Sequence, residues 1–266
     1  MKTKNLGVIS IATNKYIDYW KEQATSLNAQ INEYSRVSVF VFTDRVEEAL
    51  SHSKTLDRLN LKAIEIPSYG WPDATLLRYQ IMKSKFSMFS DQDVLVYLDA
   101  DMKVIAPLDT RLFFEEMRGG VNLVRHPGYF RESGLIAAKF YFRNPYILFK
   151  DLYSLVLTGG LGSWEINAKS KAFVARRHRT KYYCGGIWWG LRDNVHDLVS
   201  QLALNVETDS RNDVMAKWHD ESHLNHWASI NVFSESPPNV CYEASYPWLA
   251  NLKPLIIAVD KGDISR

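Results

Sequence analysis

The chain has 266 residues, which is enough for one large or two small domains. Hydrophobic residues make up 46% of it and aromatic residues 13%, and this composition excludes a disordered chain. A formal net charge of +2 argues against a polyanion binder whose affinity depends on overall charge, so no nucleic-acid partner is predicted.

Cysteine content and hydropathy indicate the compartment. Cys184 and Cys241 are too few for a disulfide framework and fit a reducing compartment. No apolar run approaches the roughly 20 residues that cross a bilayer, so no transmembrane anchor is predicted. The apolar stretch at 6–12 is short and lacks a small-residue cleavage site, so we expect no signal peptide. These features predict a soluble, cytoplasmic protein.

Strand-like and helix-like segments alternate through the first hundred residues. Apolar, β-branched runs predict strands, and apolar residues at helical spacing predict helices. The predicted strands span residues 6–12, 37–44 and 61–67. The predicted helices span residues 16–28 and 74–89, and another starts at 47–50. Such alternation predicts an α/β fold with a mainly parallel central sheet flanked by helices.

Val94 to Val104 is an informative stretch, because a predicted buried strand runs into two carboxylates. Asp99 and Asp101 stand at i and i+2 at the carboxyl end of this strand, where sheets of this kind bind ligands. Burial without a partner is unfavourable for carboxylates, and a hard divalent cation held between them and a phosphate would offset it. The alternative is a pair of solvated acids at a strand end.

Two basic or aromatic segments in the second half allow two interpretations each. Residues 129–164 are either a membrane-surface or ligand-facing excursion, or a helix packed on the sheet and ended by Gly159 and Gly160. The basic run Arg176 to Lys181 either meets phosphates or is solvated loop charge.

The stretch KYYCGGIWWG, Lys181 to Gly190, places Gly185 and Gly186 between aromatic residues. Paired glycines let the backbone approach a ligand closely. Sugars pack their ring faces on aromatic side chains, so this composition favours a sugar site. The alternative is a buried strand with a glycine bulge.

The stretch WHDESHLNHW, Trp218 to Trp227, carries a second polar group at the start of a predicted helix. His219 and His223 at i and i+4 suggest zinc, but the metalloprotease pattern needs Glu after the first histidine, where Asp220 stands. Glu221 is a better candidate for acid–base or nucleophilic chemistry. In the structural alternative, Asp220 is the helix N-cap and Glu221 faces solvent in the first turn.

Together these stretches resemble glycosyltransferase family 6, the retaining enzymes that include the blood-group A and B transferases and the α-1,3-galactosyltransferases. The resemblance covers nearly the whole chain, although residues 130–163 have no counterpart that we can place. Its segments occur in family order: VFTD (41–44), HPG (126–128), WEINAKSKAFV (164–174), YYCGGIWWG (182–190) and WHDESHLN (218–225). The chain begins at the catalytic core, similar to soluble bacterial or phage members, many of which lack the Asp-x-Asp pair.

The resemblance implies a GT-A-like fold and a role for each matching residue. The residues implied to bind the nucleotide are Ile11, Ala12, Tyr16, Ala100, Lys261 and Arg266. The residues implied to bind the donor sugar are Arg78, Cys184, Gly185, Gly186, His219 and Asp220. His126 and Trp218 would bind the acceptor, Asp99 and Asp101 would bind Mn²⁺, and Glu221 would be the catalytic carboxylate.

The resemblance also implies one catalytic domain in three parts. Residues 1–104 would bind the nucleotide, and residues 105–250 the donor sugar and the acceptor. Residues 251–266 would form a C-terminal lid whose Lys261 and Arg266 close over the diphosphate.

The implied reaction moves N-acetylgalactosamine or galactose from a UDP-sugar to the 3-hydroxyl of a galactose-type acceptor glycan, with retention of configuration. Donor choice in the family depends on the positions of Cys184 and Gly186. Their small size leaves room for an acetamido group, which favours UDP-N-acetylgalactosamine over UDP-galactose. The alternatives are a sugar-binding protein that does not transfer and an inverting Asp-x-Asp transferase.

Overall fold

The computed structural model describes residues 4–32, 35–70 and 72–259. The strands in these ranges are β1 (Lys4–Ile11), β2 (Ser35–Thr43), β3 (Leu59–Glu65), β4 (Val94–Leu98), β5 (Met102–Val104), β6 (Val121–Arg125), β7 (Tyr183–Leu191), β8 (Ser234–Ser236) and β9 (Ile256–Ala258). The α-helices are α1 (Tyr16–Gln30), α2 (Val46–Ser53), α3 (Asp73–Leu76), α4 (Arg78–Ser84), α5 (Gly134–Arg143), α6 (Pro145–Thr158), α7 (Arg192–Arg211) and α8 (His219–Ala228).

Seven of the described strands form one sheet in the order β3-β2-β1-β4-β7-β6-β8. Strands β1 to β4 are parallel, and β8 is parallel to β6. Strand β7 lies between β4 and β6 and is antiparallel to both, so β6 runs in the same direction as β4. The predicted α/β fold with a mainly parallel sheet is confirmed.

Helices cover both faces of this sheet because its central strands are apolar on both sides. Strand β4 is buried along its whole length. One core contains Trp20 and Leu27 of α1, and the other contains Tyr79 of α4 and Leu198 of α7. Strands buried on both faces leave polar side chains mainly at their ends. The polar side chains at the carboxyl edge of the sheet are therefore the candidates for a binding or catalytic site.

The buried strand predicted to lead into the two carboxylates is β4, which ends at Leu98. Asp99 to Asp101 form a turn, in which the Met102 amide donates to the Asp99 carbonyl oxygen at 3.1 Å. Strand β5 then pairs with β9 in a separate two-stranded sheet. The turn places both carboxylates beyond the carboxyl end of β4, as the sequence predicts.

The prediction of a single helix over residues 74–89 is wrong. The chain forms α3, α4 and a short 3₁₀ helix at Phe86–Phe89. Leu77, with φ −91° and ψ 0°, separates α3 from α4, and Lys85, with φ −119° and ψ 16°, ends α4. As a result α4 begins at Arg78, whose side chain is buried.

Residues 134–158 form two consecutive helices, α5 and α6. Helix α6 ends at Gly159, which adopts the left-handed φ of 82° that glycine tolerates, so the predicted glycine stop is correct. The interpretation in which this segment packs on the sheet is wrong, because large apolar side chains of both helices are exposed. Crossing a bilayer would need a longer, more apolar helix than any in the described ranges.

Candidate active site

A cleft of about 510 Å³ lies at the carboxyl edge of β1 and β4, where open α/β sheets bind ligands. Its walls come from segments that follow the strands: Ile11, Thr13, Asn14, Lys15, Tyr16, Tyr69, Gly70, Ala74, Thr75, Arg78, Tyr97, Asp99, Ala100 and Asp101. Three predicted nucleotide-binding residues, Ile11, Tyr16 and Ala100, are among them. Ala12 is completely buried in the core instead.

Arg78 lines this cleft and joins three parts of the chain. Its Nη2 lies 3.1 Å from Oδ1 of Asp99, and its Nη1 lies 3.0 Å from Oδ2 of Asp220. Nη1 also donates to the carbonyl oxygen of Gly185 at 2.9 Å. The guanidinium lies 4.6 Å from the ring centre of Tyr97, whose hydroxyl donates to the same Asp99 oxygen at 2.7 Å. Arg78 therefore ties β4, β7 and α8 together.

Glu221, at the start of α8, contacts the motif that contains the two glycines. Its Oε2 accepts a hydrogen bond from the Gly185 amide at 2.8 Å, and the Tyr182 hydroxyl also donates to its carboxylate. The side chain is partly buried by these contacts. The alternative interpretation, in which Glu221 is a freely solvated residue in the first turn, is therefore wrong.

Asp220 does not act as the helix N-cap. Its side chain is buried and paired with Arg78, and the preceding Trp218 amide is bound by Oγ of Ser222 at 2.9 Å. Burial of a charged pair is favourable only when both partners are present and hydrogen-bonded. The contacts of Asp220 belong to the site rather than to the helix terminus.

Gly185 and Gly186 give α8 and the acidic turn space to reach β7. A Cβ on Gly185 would lie 3.2 Å from Oδ2 of Asp220 and from Cβ of Glu221. A Cβ on Gly186 would lie 3.0 Å from Oδ2 of Asp99. The register of β6 against β7 shifts opposite these glycines, so a buried strand with a bulge is a correct description of the local fold. The bulge and the site occupy the same place.

Gln23 and Ser10 support the acidic turn, and the sequence analysis did not find either. Nε2 of Gln23 donates to the carbonyl oxygen of Asp99, and Oγ of Ser10 donates to that of Leu98 at 2.7 Å. Both side chains are buried, and they lie 2.8 Å apart between Oγ and Oε1. In the sequence, the one indication of this role is that Ser10 and Gln23 are polar residues at core positions of a predicted strand and a predicted helix.

His126 and Trp218, the predicted acceptor residues, lie in an aromatic group beside Glu221. The His126 ring centre is 5.0 Å from that of Tyr129 and 5.7 Å from that of Tyr182, which donates to Glu221. Trp218 is half exposed, and its indole N–H donates to Oγ of Ser163. Such a group can pack on a sugar ring within reach of a carboxylate.

Burial raises the pKa of both carboxyl groups on α8 to about 7. At Asp220 the Arg78 guanidinium opposes this effect, while the charges of Asp99 and Glu221 add to it. At Glu221 the Gly185 amide and the Tyr182 hydroxyl stabilise the charged form but do not outweigh burial. Adjacent carboxyl groups titrate as a pair. Burial also lowers the pKa of His126 to about 4, which keeps that ring neutral.

The remaining predicted site residues lie in the cleft wall, in the core or outside the described residues. Nδ1 of His219 lies 3.2 Å from Oγ1 of Thr75 in the cleft wall. Cys184 is buried, and its thiol contacts that of Cys241 in the core. Lys261 and Arg266, predicted to bind the diphosphate, lie outside the described residues.

The histidines of α8 do not form a zinc site, because they face different partners. Nε2 of His223 is buried 3.6 Å from Oδ2 of Asp209, whereas His219 faces Thr75. Between residues 4 and 259, as far as they are described, no three metal-ligating side chains are gathered.

The donor set of the acidic turn fits a divalent cation that also binds phosphate. Carboxylate oxygens are the ligands that Mg²⁺ and Mn²⁺ prefer. Two carboxylates, Asp99 and Asp101, leave coordination positions for diphosphate oxygens and water. The Val259 amide donates to the carbonyl oxygen of Asp101 at 2.8 Å, so the chain segment before residues 260–266 passes this turn.

The sheet order, with its crevice and an acidic turn beyond β4, is consistent with a GT-A-like fold. Sequence comparison shows which family the chain resembles. Residues 162–264 match glycosyltransferase family 6. This stretch contains both motifs that meet at Arg78, the paired glycines of β7 and the start of α8.

Curated relatives align with most of the chain. The histo-blood group ABO system transferase 1 of Rattus norvegicus is 25% identical over 98% of this chain and 68% of its own length. The globoside alpha-1,3-N-acetylgalactosaminyltransferase 1 of Homo sapiens is 24% identical over 98% of this chain and 67% of its own. The O-antigen biosynthesis glycosyltransferase WbnI of Escherichia coli is 22% identical over 85% of this chain and 82% of its own.

The family match and these relatives make the chain similar to members of glycosyltransferase family 6. The chain spans between 55% and 68% of the length of the mammalian relatives that it matches.

Proposed function

We propose that the chain is a retaining glycosyltransferase that moves N-acetylgalactosamine, or galactose, from a UDP-sugar to the 3-hydroxyl of a galactose-type acceptor. The observation that carries this proposal is the contact of Arg78 with both Asp99 and Asp220, at 3.1 and 3.0 Å. This contact joins the acidic turn in the cleft wall to the helix that carries Glu221. One donor could therefore place its diphosphate at the turn and its sugar near Glu221.

The nucleotide would occupy the cleft of about 510 Å³, a volume in the range of small-molecule sites. Tyr16 and Ile11 in its wall offer an aromatic and an apolar surface for a uracil ring. Lys261 and Arg266 remain proposed diphosphate ligands from the family resemblance.

Asp99 and Asp101 would hold a manganese ion, which supplies positive charge to the diphosphate and to the departing UDP when it is bound. The contribution of this chain is to fix Asp99 in place. Its carboxylate is oriented by Arg78 and Tyr97, and its backbone carbonyl is held by Gln23. A ligand held by such supporting contacts loses little freedom when a metal binds.

Glu221 would face the anomeric carbon of the donor sugar. As a carboxylate it either attacks this carbon, which retains configuration through two inversions, or stabilises an oxocarbenium-like charge. In both routes the bond from C1 to the UDP oxygen and the O–H bond of the acceptor break, a bond from C1 to the acceptor oxygen forms, and the departing UDP takes up the acceptor proton. In the route with two inversions, the bond from C1 to Glu221 that forms in the first step breaks in the second. The Gly185 amide and the Tyr182 hydroxyl orient the carboxylate for either role.

UDP-N-acetylgalactosamine is the proposed preferred donor, with UDP-galactose next. Gly186 presents only backbone at the acidic turn, and Cys184 is small. Three of the relatives are named as N-acetylgalactosaminyltransferases, from Gallus gallus, Homo sapiens and Mus musculus. A sugar-binding protein without transfer would need the aromatic residues, but it would need neither the acidic turn nor Glu221.

The test is an assay with a panel of UDP-sugars, Mn²⁺ and galactose-terminated oligosaccharides, with the product linkage read by NMR. We expect the N-acetylated donor to turn over fastest and to give an α-1,3 linkage. Glu221→Gln should lower the rate by at least about 100-fold, because the carboxylate charge is lost while its shape is kept. Binding of UDP, measured by calorimetry, should persist in this variant.

The matched control is Glu207→Gln, at an exposed position on α7, which should leave turnover unchanged. Near-normal turnover in Glu221→Gln would remove this residue from the mechanism. Much faster turnover of UDP-galactose would reverse the proposed donor preference. Sugar binding without transfer from any donor would assign the chain to the sugar-binding alternative.

A further inference from the structure

Helices α5 and α6 expose an unusual amount of apolar surface. Half of the exposed large apolar side chains in the described residues lie between 135 and 157. Phe142 is 90% exposed, Tyr146 77% and Val156 70%. Exposed apolar patches of this extent mark interaction surfaces. We call the solvent-facing side of α5 and α6 the hairpin surface.

Helix α6 presents its apolar stripe to solvent. Tyr146, Phe149, Tyr153 and Val156 recur at spacings of three, four and three residues, which places them on one face, and all four are exposed. Asp151 instead points inward, 2.7 Å from Nε of Arg131. In an ordinary surface helix the apolar stripe faces the core and the polar face meets solvent. In α6 the apolar stripe meets solvent instead.

The exposed charges on the same two helices are all basic. They are Lys139, Arg143 and Lys150. The one carboxylate within residues 134–158, Asp151, is buried against Arg131. Basic and apolar side chains are therefore interspersed on the hairpin surface without an acidic partner.

A second basic group adjoins the carboxyl end of α6. Arg179 donates through Nη1 to the carbonyl oxygen of Thr158 at 2.7 Å, and Arg176 donates to that of Val156. Arg177 beside them is exposed. Burial and the charge of Arg176 lower the pKa of Arg179, which shows that positive charge is crowded here. The basic run predicted as a phosphate-binding or solvated loop therefore extends the hairpin surface.

We propose that the hairpin surface docks on a membrane that contains anionic lipids. Aromatic and aliphatic side chains on one face of a helix enter the boundary of the acyl region, and Lys and Arg contact the phosphate groups. The charge pattern disfavours a second copy of this chain as the occupant. A two-fold contact would place basic side chains against basic side chains with no free carboxylate to pair with them.

The hairpin surface is attached to the part of the chain that carries His126. The Arg131 guanidinium, which pairs with Asp151, lies 3.8 Å from the ring centre of Trp248. The Trp248 indole donates to the carbonyl oxygen of Pro127 at 2.7 Å. Docking would therefore fix the orientation of the His126 segment relative to the bilayer. The docking proposal itself does not depend on the proposed function.

The test is co-sedimentation of the full chain with vesicles of phosphatidylcholine alone or mixed with phosphatidylglycerol. We expect binding to the mixed vesicles, weakened by salt, and at least about tenfold weaker binding to the neutral ones. The variants F149S/Y153S and K139E/R143E should each weaken binding to mixed vesicles at least about tenfold. The matched controls L204S and K85E, exposed positions on α7 and after α4, should bind as the unchanged chain does.

Circular dichroism and UDP binding verify that each variant is folded, and K139E/R143E changes only exposed side chains. Absence of binding to mixed vesicles would overturn the proposal. Equal weakening in the controls and the hairpin variants would overturn it as well. A dimer in analytical ultracentrifugation that F149S/Y153S dissociates, without vesicle binding, would assign the hairpin surface to a second copy instead.

Discussion

Arg78 decides the geometry of the site, although its residue type gave no sign of this. A helical arginine normally faces solvent, yet Arg78 is 5% exposed and lies between two carboxylates. Burial acts to lower its pKa, but the charges of Asp220 and Asp99 raise it well above the ordinary value. Lysine is a poor replacement, because its compact ammonium group lacks the fork of donors with which the guanidinium contacts Asp99 through one nitrogen and Asp220 through another.

The acidic turn predicts that turnover depends on a divalent metal and that a change at Asp101 alone weakens this dependence. Asp101→Asn keeps the size of the side chain and removes the charge that would bind the ion. We expect manganese-dependent turnover to fall by about 10- to 100-fold or more, with a weaker dependence on added Mn²⁺. The measurement is the initial rate across a manganese titration.

Asp213→Asn, at an exposed position after α7, is the control for that titration and should behave as the unchanged chain. Full activity of the unchanged chain in excess chelator would show that Asp101 has no metal to bind.

The raised pKa values on α8 predict that turnover falls as the pH drops through about 7. Glu221 must be ionised to act on the anomeric carbon, and burial raises its pKa to about 7. The midpoint belongs to the Asp220–Glu221 pair and should appear in the pH dependence of kcat/KM. Tyr182→Phe should move it to higher pH, because the hydrogen bond that stabilises the carboxylate is lost.

Tyr153→Phe, at an exposed tyrosine on α6, should leave this pH profile unchanged. A midpoint near 4.5, the ordinary value for a glutamic acid, would contradict the raised pKa of Glu221.

At the scale of elements, β7 illustrates what sequence could and could not provide. The glycines, the flanking aromatic residues and the polar start of α8 were all visible as motifs, and the structure brings them together. The supporting residues Gln23 and Ser10 were not visible as site residues, because each is a single polar residue in an apolar pattern. Their function depends on which backbone carbonyl lies opposite, which only the folded chain determines.

Gly186→Ala tests how β7 serves the acidic turn. The added Cβ would meet Oδ2 of Asp99 and Cε of Met102, each at 3.0 Å, so one of them must move. We expect manganese-dependent UDP binding to weaken by about 10- to 100-fold, because displaced metal ligands lose affinity. Calorimetry with and without Mn²⁺ measures this loss.

A different outcome would favour the interpretation in which Gly186 only leaves room for the acetamido group. In that case UDP binding would be unchanged, and the relative rate with UDP-galactose would rise.

Two errors have a common physical reason: the single helix predicted at residues 74–89, and the predicted packing of residues 134–158 on the sheet. Apolar spacing shows which residues can share a face, but not what that face contacts. At residues 74–89 the pattern hid two breaks, at Leu77 and Lys85, and the first one sets the start of α4 at Arg78. At residues 134–158 the pattern gave helices correctly, but the apolar face is turned to solvent.

At the scale of the whole molecule, strand alternation was sufficient to predict the mainly parallel sheet. It could not predict that β7 enters antiparallel between β4 and β6, because this depends on pairing between strands about 90 residues apart in sequence. That placement brings Gly186 against Asp99, with the Asp99 amide 2.8 Å from the Gly186 carbonyl oxygen. The order of the sheet thus assembles motifs that the sequence showed only separately.

The α8 carboxyl groups also predict how the free energy of unfolding depends on pH. Their folded pKa values of about 7 exceed the ordinary values of 3.8 and 4.5. Between these limits the folded chain holds protons that the unfolded chain has released, so this pair makes stability fall as the pH rises. Glu221→Gln resembles the protonated acid. Its melting temperature relative to the unchanged chain should therefore be higher at about pH 8 than at about pH 4.

Differential scanning calorimetry at the two pH values measures this difference, with Glu207→Gln on the surface of α7 as control. An equal difference in melting temperature at both pH values would contradict the raised pKa of Glu221.

The contacts of Arg78 and its neighbour also bear on the order in which the chain folds. Arg78 and Gly185 are 107 positions apart, and the Tyr79 hydroxyl reaches the Asp220 carbonyl oxygen across 141 positions. Contacts between such distant residues close large loops, and the loss of chain entropy delays them. The catalytic pocket is therefore complete only late in folding. A nucleotide that binds it stabilises the finished molecule by mass action and cannot assist the early intermediates.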